Sequence, residues 1–297
     1  MEAEGGPAIE CIELKQIRRY YAEEIAAYCN LQSDALVAAL ASVPREQFLD
    51  PGPWLIRGGY ADLGEAPRLT RSADPRHVYH NVTIAIDAAR MLFNGQPGTL
   101  ALWIDALRLK PGERVLHIGC ATGYYTALMA HVLGPEGMVT ALEVDAGLAR
   151  RAKENLMALP WVEVREADGT GGLPDNLDAV LINAGVTHPL PVWLDALRDG
   201  GRMIVPVTFT VDKMPTNIGK GGVFLITRKQ DVFHARFLAP VAIYSAVGVR
   251  DAALNEPLLR AFSGMAFFKV RRLRRDIHEP GPACWLHGAG VCLTTAE

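Results

Sequence analysis

The sequence predicts an α/β fold built on a mostly parallel sheet, with an antiparallel strand pair at the C-terminal end of the sheet. Between about residues 109 and 207, short β-branched runs alternate with helical patterns, as in "RVLHIG" followed by "YYTALMAHVLG". Such alternation is typical of parallel strands joined by right-handed crossovers. The first of these strands ends in a glycine-containing turn, and the later run "GGVFLITRKQDVFHARFLAPVAIYS" contains two strand patterns around a short polar turn.

The segment before the sheet is predicted to contain helices and loops. Apolar residues at helical spacing predict helix within about residues 12–43, where Ser33 is a suitable N-cap for a second helix that Pro44 ends. The stretch from "DPGPWLIRGGY" to "RSADPRHVY" is rich in Pro and Gly and predicts loop. "TLALWIDALRL" predicts an amphipathic helix with Thr99 at its start, as N-cap, as substrate-orienting residue, or as both.

The pattern suggests three segments with different roles. We expect residues 1–108 to contribute to a substrate site, residues 109–248 to bind a cofactor, and residues 249–297 to form a C-terminal extension whose role the sequence does not indicate. The extension begins with a helical pattern, "LNEPLLRAF", and contains the basic run "KVRRLRRD". A solvated face is the default interpretation of that run, against contact with an acidic peptide or RNA.

Composition describes an ordinary globular protein. Of the 297 residues, 49% are hydrophobic and 21% are charged, and the net charge of −3 gives no general attraction to nucleic acid or to an anionic membrane. No apolar run approaches the ~18 residues of a membrane helix, and the acidic start "MEAEGGPAIE" does not resemble a signal peptide. Five scattered cysteines without a CxxC pair predict a reduced, cytoplasmic location. We make no prediction of oligomeric state.

No metal site is predicted. His77 and His80 in "HVYH" are three residues apart, but no third ligand lies nearby in the sequence.

The glycine turn indicates the kind of cofactor. A dinucleotide fingerprint needs three glycines, of which the second lets pyrophosphate approach the backbone. Here the turn reads Gly119, Cys120, Ala121, Thr122, Gly123, Tyr124. Alanine replaces the second glycine and a bulky tyrosine replaces the third, so the turn fits a ligand without phosphates, of which S-adenosylmethionine is the common example.

Acidic residues at strand ends support the same ligand. Glu143 ends the second strand, 20 residues after Gly123, where a carboxylate can accept hydrogen bonds from both ribose hydroxyls. Asp168 ends the third strand, where it can accept from the exocyclic amine of adenine. In open sheets of this type, ligands bind beyond the carboxyl ends of the strands.

The chain resembles the protein-L-isoaspartate O-methyltransferase family from about residue 30 to residue 247. The matching stretches are "VPREQF", "GQ" at 95–96, "LKPGERVLHIGCATGYYTALMA", "ALEVD", "LRDGGRMIVPV" and "GGVFLITRK…FLAPVAIYS". The resemblance implies the seven-stranded, Rossmann-like sheet of class I S-adenosylmethionine-dependent methyltransferases. It also implies methyl transfer to a carboxylate of a damaged aspartyl residue in a protein or peptide.

The resemblance also implies site residues. Tyr79, Gln96 and Thr99 correspond to substrate-binding positions, and Thr99 and Asn183 are candidates for the reacting centre. The predicted cofactor site comprises His117, Gly119, Cys120, Ala121, Thr122, Gly123, Tyr124, Glu143, Val144, Asp168, Gly169 and Asn183.

Two departures from the family pattern bear on specificity. The family's Gly-Gln-Thr-Ile-Ser is replaced by Gly95-Gln96-Pro97-Gly98-Thr99, which keeps the glutamine and a hydroxyl but loses the Thr-Ile pair. The segment "DAARMLF" also separates Tyr79 from Gln96. These changes favour a relative that esterifies aspartate in a particular peptide over a general repair enzyme.

His117 stands where the family has an acid that faces the amino-acid end of the cofactor. A neutral imidazole can accept from the cofactor's ammonium group, so the sequence predicts that cofactor affinity falls as pH drops through about 6.5. The alternative is that His117 is a packing residue.

The predicted chemistry needs little acid–base assistance, because a carboxylate is already ionised at neutral pH and a sulfonium methyl is an activated electrophile. Two alternatives remain open at this point. One is a methyltransferase for RNA or a small metabolite on the same sheet, and the other is a non-catalytic protein that binds a cofactor or a partner.

Overall fold

A computed structural model describes residues 6–58, 66–211, 217–288 and 290–296, with side chains from residue 13 onward. The helices in these ranges are α1 (Gly6–Cys29), α2 (Asp34–Ser42), α3 (Pro97–Ala106), α4 (Tyr124–Leu133), α5 (Ala146–Leu156), α6 (Pro191–Ala196) and α7 (Asn255–Ser263). The strands are β1 (Leu55–Arg57), β2 (Arg68–Leu69), β3 (Thr83–Asp87), β4 (Leu92–Phe93), β5 (Arg114–Ile118), β6 (Met138–Glu143), β7 (Val162–Glu166), β8 (Leu177–Ile182), β9 (Leu197–Phe209), β10 (Ile218–Lys229), β11 (Val232–Tyr244), β12 (Arg272–Arg274), β13 (Cys284–Gly288) and β14 (Val291–Thr294).

The chain divides into two compact units. The first comprises Met1–Gly112, Ala121–Gly137 and Arg150–Val162, and the second comprises Glu113–Cys120, Met138–Ala149 and Glu163–Glu297. The segments 1–108, 109–248 and 249–297 are divisions by role and stay a prediction. No helix in the described part of the chain is long and apolar enough to cross a bilayer.

The helices of the first unit largely follow the sequence prediction. The Ser33 hydroxyl accepts from the Leu36 backbone N–H at 3.2 Å, and α2 ends two residues before Pro44, as predicted. Helix α3, however, begins at Pro97, and Gln96 occupies its N-cap position. The interpretation of Thr99 as an N-cap is therefore wrong, because the chain already turns helical at proline, whose fixed φ suits the first helical position.

Residues 59–65 of the stretch predicted as loop lie outside the described residues, and the described part of this stretch contains the short strands β1 and β2. Strand β1 pairs antiparallel with β2 and β3, and β3 pairs with β4, which gives a four-stranded sheet in the order β2-β1-β3-β4. Ile56 and Ile84 are buried register partners in this sheet. Pairing with the distant β3 overrides the local Pro and Gly signals, which is a tertiary effect that sequence windows do not contain.

The second unit confirms the predicted fold class. Its sheet has the order β13-β14-β12-β11-β10-β9-β8-β5-β6-β7. Strand β5 pairs in parallel with β6 and β8, and β8 pairs in parallel with β9. Strands β10 and β11 form the antiparallel pair expected from "GGVFLITRKQDVFHARFLAPVAIYS".

The C-terminal extension lengthens this sheet from the seven strands expected for the family to ten. The predicted helix is α7, and the tail that the sequence left unassigned supplies β12, β13 and β14, all in antiparallel pairs. The run "KVRRLRRD" supplies β12, which pairs with β11. These strands are only three to five residues long, and β12 is also rich in charge, so a short sequence window does not identify them as strands without their partners.

An aromatic cluster fixes the extension to the sheet. Trp285 of β13 has its ring centroid 5.4 Å from that of Phe224 of β10 and 5.0 Å from that of Phe262 of α7. Its indole N–H donates to the Ala261 carbonyl at 3.1 Å. Only 9% of Trp285 and none of Phe224 is exposed, so the extension belongs to the hydrophobic core of this unit.

We expect Trp285→Ala to lower the free energy of unfolding by about 3–5 kcal/mol, because it removes a buried aromatic ring and leaves a cavity. Urea unfolding measures this effect. Ile277→Ala is the control, because Ile277 is fully exposed in the same extension and its change should stay within ~0.5 kcal/mol. Equal stability of the two variants would contradict a core role for the extension.

Candidate functional site

The turn after β5 is held by the ends of two neighbouring strands. The backbone N–H groups of Gly119 and Cys120 both donate to the Leu142 carbonyl of β6, at 2.8 and 3.0 Å. After β8, the Asn183 backbone N–H donates to the Ile118 carbonyl at 2.8 Å, and the Asn183 side-chain amide donates to the Gly119 carbonyl at 3.3 Å. The amide N–H groups of Asn183 thus support the turn.

Gly119 has a specific steric reason to be glycine. Its φ is +79°, and a Cβ there would lie 3.2 Å from the Asn183 carbonyl oxygen. A side chain at this position would push the two strand ends apart.

The remainder of the turn belongs to the first unit. Ala121 has φ +52° and Gly123 has φ +96°, and Gly123 is the N-cap of α4. A Cβ at Gly123 would lie 2.7 Å from Leu156 Cδ1, and the Asn155 side-chain amide donates to the Thr122 carbonyl at 2.9 Å. The positive φ of Ala121 places an alanine in the left-handed conformation, which glycine adopts more readily.

The two acidic residues lie at adjacent strand ends of the second unit. The Ala167 N–H after β7 donates to the carbonyl of Glu143, the last residue of β6, at 3.0 Å. Glu143 is 7% exposed, and its carboxylate accepts from the Asp145 N–H at 3.1 Å. The Asp168 carboxylate accepts from the Thr170 N–H at 2.9 Å and from its hydroxyl at 2.8 Å, and these bonds lower the pKa of Asp168.

Val144 and Gly169 flank these acids. Val144 follows directly after β6 and is 46% exposed, so it offers an apolar side chain at the end of this strand. Gly169 has φ +79°, and its carbonyl accepts from the Trp193 indole N–H at 2.7 Å. The second unit therefore brings together the carboxylates, an apolar side chain and the supported start of the glycine turn.

His117 lies in the interior of the sheet, with Ala141 and Leu181 as register partners on the adjacent strands. It has no exposed surface, and burial lowers its pKa to about 3. The prediction of a titration near 6.5 is therefore wrong, because that value belongs to a solvated imidazole and burial disfavours the charged form. His117 is neutral throughout the physiological range, and the structure favours packing as its role.

Cys120 is also buried in this region. Burial, and then the nearby Glu143 charge, raise the pKa of its thiol, so that the group stays protonated at neutral pH. This agrees with the expectation that the turn needs only a small apolar side chain at this position.

Tyr79 takes part in a hydrogen-bond network within the first unit. Its hydroxyl accepts from Arg18 Nε at 2.8 Å and from the Arg45 backbone N–H at 3.0 Å, and it donates to the Glu46 carboxylate. Arg18 also forms an ion pair with Glu46 at 2.6 Å. Burial and the Glu46 charge raise the pKa of Tyr79. The Tyr79 hydroxyl thus makes three hydrogen bonds within the protein. Its contact with substrate stays a prediction.

Arg45, from the "VPREQF" stretch, organises the loop around Tyr79. The residue is fully buried, and its guanidinium donates to the carbonyls of Val78, His80 and Val82 at 2.7–3.1 Å. The reason for arginine in this stretch is thus the support of three backbone carbonyls.

Asn81 is a residue that sequence reasoning missed. Its side-chain oxygen accepts from the Gly98 N–H at 2.8 Å, and its backbone carbonyl accepts from Gln96 Nε2 at 3.0 Å. Asn81 thus fixes the start of α3, where Thr99 is the third helical residue and is partly exposed. No sequence signal connects Asn81 to the helix, because the bond spans 17 residues.

Tyr124 packs in the interior of the first unit. Its ring lies 5.6 Å from Phe48 and 5.1 Å from Tyr125, and its hydroxyl lies 3.5 Å from that of Tyr21. Only 3% of the residue is exposed. Its predicted cofactor contact stays a prediction, and the structure accounts for the aromatic ring by packing.

The basic run is largely engaged within the second unit. Arg275 forms an ion pair with Asp195, Arg274 forms one with Asp276, and Arg271 donates to the carbonyls of Phe268 and Val270. These contacts support the interpretation of the run as a surface face rather than a nucleic-acid contact.

Comparison with known proteins identifies the family. The sequence model of the protein-L-isoaspartate(D-aspartate) O-methyltransferase family matches residues 65–238, which is more than half of the chain. The chain belongs to this family. A relative from Gloeobacter violaceus, named protein-L-isoaspartate O-methyltransferase, is 33% identical over 216 residues, which are 70% of this chain and 91% of the relative. One from Thermotoga maritima with the same name is 27% identical over 238 residues, or 77% and 67% of the two chains.

Solved structures agree with the fold. A protein-L-isoaspartate O-methyltransferase superposes with a TM-score of 0.63 at 25% identity, covering 83% of this chain and 69% of the other. A Plasmodium falciparum protein described as a putative member, in complex with S-adenosyl-L-homocysteine, has a TM-score of 0.57 at 17% identity and covers 77% of this chain and 97% of its own. The family match ends at residue 238, before the C-terminal extension.

Acid destabilisation provides a test of the position of His117. The unfolded chain takes up a proton near pH 6.5, whereas the folded chain does so only near pH 3, so stability falls as pH drops below 6.5. Between pH 7 and pH 5, we expect the free energy of unfolding of the unsubstituted protein to fall by about 2 kcal/mol more than that of His117→Phe. Urea unfolding at the two pH values measures this. The matched control is His234→Phe at an exposed position, and identical acid sensitivity of both variants would contradict the buried, neutral state of His117.

Proposed function

We propose that this protein transfers a methyl group from S-adenosylmethionine to a carboxylate of an isoaspartyl or aspartyl residue in a protein or peptide. Membership of the protein-L-isoaspartate O-methyltransferase family supports the reaction class. The observation that carries the proposal is the placement of the Glu143 and Asp168 carboxylates after adjacent strands, beside the supported glycine turn. An adenosine ligand and a cationic methyl donor both suit this arrangement.

The charges of the second unit's predicted cofactor residues suit S-adenosylmethionine. These residues include two carboxylates, one amide and a neutral imidazole, and none of them is arginine or lysine. They are His117, Gly119, Cys120, Glu143, Val144, Asp168, Gly169 and Asn183. A dinucleotide is disfavoured by the turn itself, where Ala121 replaces the second glycine of the fingerprint and Tyr124 replaces the third. The bound cofactor supplies an activated methyl group on a sulfonium sulfur.

The residues have separate proposed roles. Glu143 accepts from the ribose hydroxyls, and Asp168, whose pKa is lowered, accepts from the adenine amine. Val144 and Gly169 provide the surface beside the adenine ring. Asn183 and Gly119 hold the turn, and His117 and Cys120 pack behind it.

Substrate orientation is assigned to the start of α3. Pro97 has no N–H, and Asn81 takes the Gly98 N–H, so Thr99 is the first helical residue beyond the capped position with both a hydroxyl and a backbone N–H. The positive end of the helix attracts a carboxylate. Gln96 contributes its amide oxygen to a peptide backbone, and Tyr79 keeps the loop before the helix in place.

Methyl transfer then requires alignment rather than proton transfer. The substrate carboxylate is already ionised at neutral pH, and its oxygen attacks the methyl carbon as the carbon–sulfur bond breaks. The electron pair of that bond stays on sulfur, so the products are a methyl ester and S-adenosylhomocysteine. Proximity and orientation supply the acceleration.

A test of Thr99 separates orientation from cofactor binding. We expect Thr99→Val to lower kcat about 10- to 100-fold, because the carboxylate loses a hydrogen bond that fixes its direction. The Kd of S-adenosylmethionine should change less than about two-fold, since the residue binds substrate. Thr99→Ser is the control that retains the hydroxyl and should keep most of the rate. An unchanged kcat in Thr99→Val would remove Thr99 from the mechanism.

Calorimetry tests the cofactor residues. Glu143→Gln and Asp168→Asn should each raise the Kd of S-adenosylmethionine about 10-fold, because a charge-assisted hydrogen bond becomes a neutral one. Glu163→Gln is the matched control, since Glu163 is an exposed carboxylate of β7 that pairs with Arg165. If all three variants bind the cofactor equally, the cofactor lies elsewhere.

The substrate class is tested by methyl transfer to three acceptors: an isoaspartyl peptide, the matching aspartyl peptide and a metabolite pool. The altered motif from Gly95 to Thr99 leads us to propose a dedicated aspartyl peptide as the preferred acceptor. Transfer to the metabolite pool alone would contradict a protein substrate. Binding without transfer to any acceptor would identify a non-catalytic family member.

A cytoplasmic location is part of the proposal. It is supported by Cys29, Cys120, Cys284 and Cys292, none of which forms a disulfide in the described part of the chain, as suits a reducing compartment.

A further inference from the structure

Four metal-ligating side chains of the C-terminal extension converge. His278, Cys284, His287 and Cys292 each offer one ligand atom, and these atoms all lie within 4.8 Å of one another. All four residues follow residue 238, where the family match ends. The proposed methyltransferase reaction uses none of them.

The β13–β14 hairpin explains how three of them reach one face. His287 and Cys292 are register partners on the two strands. Cys284 is three residues before His287, and in a regular strand residues three apart point to opposite faces. The register shifts between Cys284 and Leu286, however, and an irregularity of this kind returns Cys284 to the face of His287.

His278 joins the group from the segment before β13. Its Nε2 lies 3.6 Å from the Cys284 Sγ, and its Nδ1 lies 2.9 Å from the Asp276 carbonyl oxygen. A ring nitrogen that donates to a backbone carbonyl fixes the tautomer in which the other nitrogen is a ligand, as is usual for metal-bound histidines. The contact with Asp276 therefore directs Nε2 towards the cluster.

His287 supplies an independent observation. Its Nδ1 atom is buried and has no hydrogen-bond partner. A buried polar atom without a partner is costly, and in natural proteins such atoms are usually satisfied by a protein group, a water or an ion. A metal ion held among these four residues is one kind of partner that would satisfy it.

We propose that His278, Cys284, His287 and Cys292 bind a structural Zn²⁺ ion. Two thiolates and two imidazoles form a common structural zinc set, and four protein ligands leave no open position for catalysis. Bond lengths of about 2.0 Å to nitrogen and about 2.3 Å to sulfur separate two ligand atoms of a tetrahedron by about 3.5 Å. The 3.6 Å between His278 Nε2 and Cys284 Sγ matches this spacing.

Charge also fits a divalent cation. Two thiolates neutralise Zn²⁺, and neighbouring Arg274 and Asp276 are already paired with each other. The Gly281 backbone N–H donates to Cys284 Sγ at 3.4 Å, and a hydrogen bond of this kind orients a ligand atom.

The zinc ion has a structural consequence. Strand β13 is the edge of the ten-stranded sheet, and His278 lies in the preceding segment. The ion links that segment to the hairpin and so fixes the sheet edge. The role of the ion in fixing this edge does not depend on which methyl acceptor the protein uses.

Metal content of the full-length chain tests the proposal. The protein is purified under reducing conditions without chelator, and zinc is measured by mass spectrometry. We expect about one zinc ion per chain, and cobalt substitution should give the intense visible bands of a tetrahedral site with a thiolate charge-transfer band. Chelation of the zinc should lower the Tm, because binding energy in such sites is folding energy.

Variants assign the ligands. Cys284→Ser and His287→Asn should lose most of the bound zinc, whereas Cys29→Ser should retain it, because Cys29 is a half-buried thiol of the first unit. If Cys284→Ser folds poorly, the cobalt spectrum of His278→Asn gives the same information, since His278 lies outside the strands. Zinc-free protein that does not take up added zinc, or a Cys284–Cys292 disulfide in protein kept reduced, would overturn the proposal. Equal zinc in Cys29→Ser and Cys284→Ser would do the same.

Discussion

The second unit depends on the parallel pairing of β5 with β6 and β8. This pairing places the Leu142 carbonyl where it accepts from two successive N–H groups, those of Gly119 and Cys120. It also brings Asn183 against the Gly119 carbonyl. The turn therefore has little conformational freedom before a ligand binds. In a preorganised site of this kind, binding costs less conformational entropy. Glycine at 119 follows from this close approach, not from the ligand alone.

The first unit depends on a different constraint, the buried guanidinium of Arg45. It donates to three backbone carbonyls, and the backbone N–H of Arg45 donates to the Tyr79 hydroxyl. Removing one partner of a buried charge network is costly, so the loop before α3 is fixed as a whole. Asn81 lies in that loop and caps the helix that carries Thr99. The loop therefore determines the position of the proposed substrate residues more than the helix does.

Much of the fold could be predicted because its signals are local. The alternation of strand and helix patterns identified the sheet, and Ser33 and Pro44 identified the bounds of α2. What the sequence did not reveal depends on contacts distant along the chain. Examples are the pairing of Ile56 with Ile84, the cap that Asn81 provides, and the strands of the extension. For His117 the residue type suggested a titrating group, but burial in the sheet decides its protonation.

The most direct test of the account is a crystal structure of the chain with S-adenosylhomocysteine. It should place the ribose hydroxyls within hydrogen-bond distance of the Glu143 carboxylate and the adenine amine near Asp168. His117 should remain buried without touching the ligand. A ligand bound away from the carboxyl ends of β5, β6 and β7, with Glu143 and Asp168 uninvolved, would contradict the account.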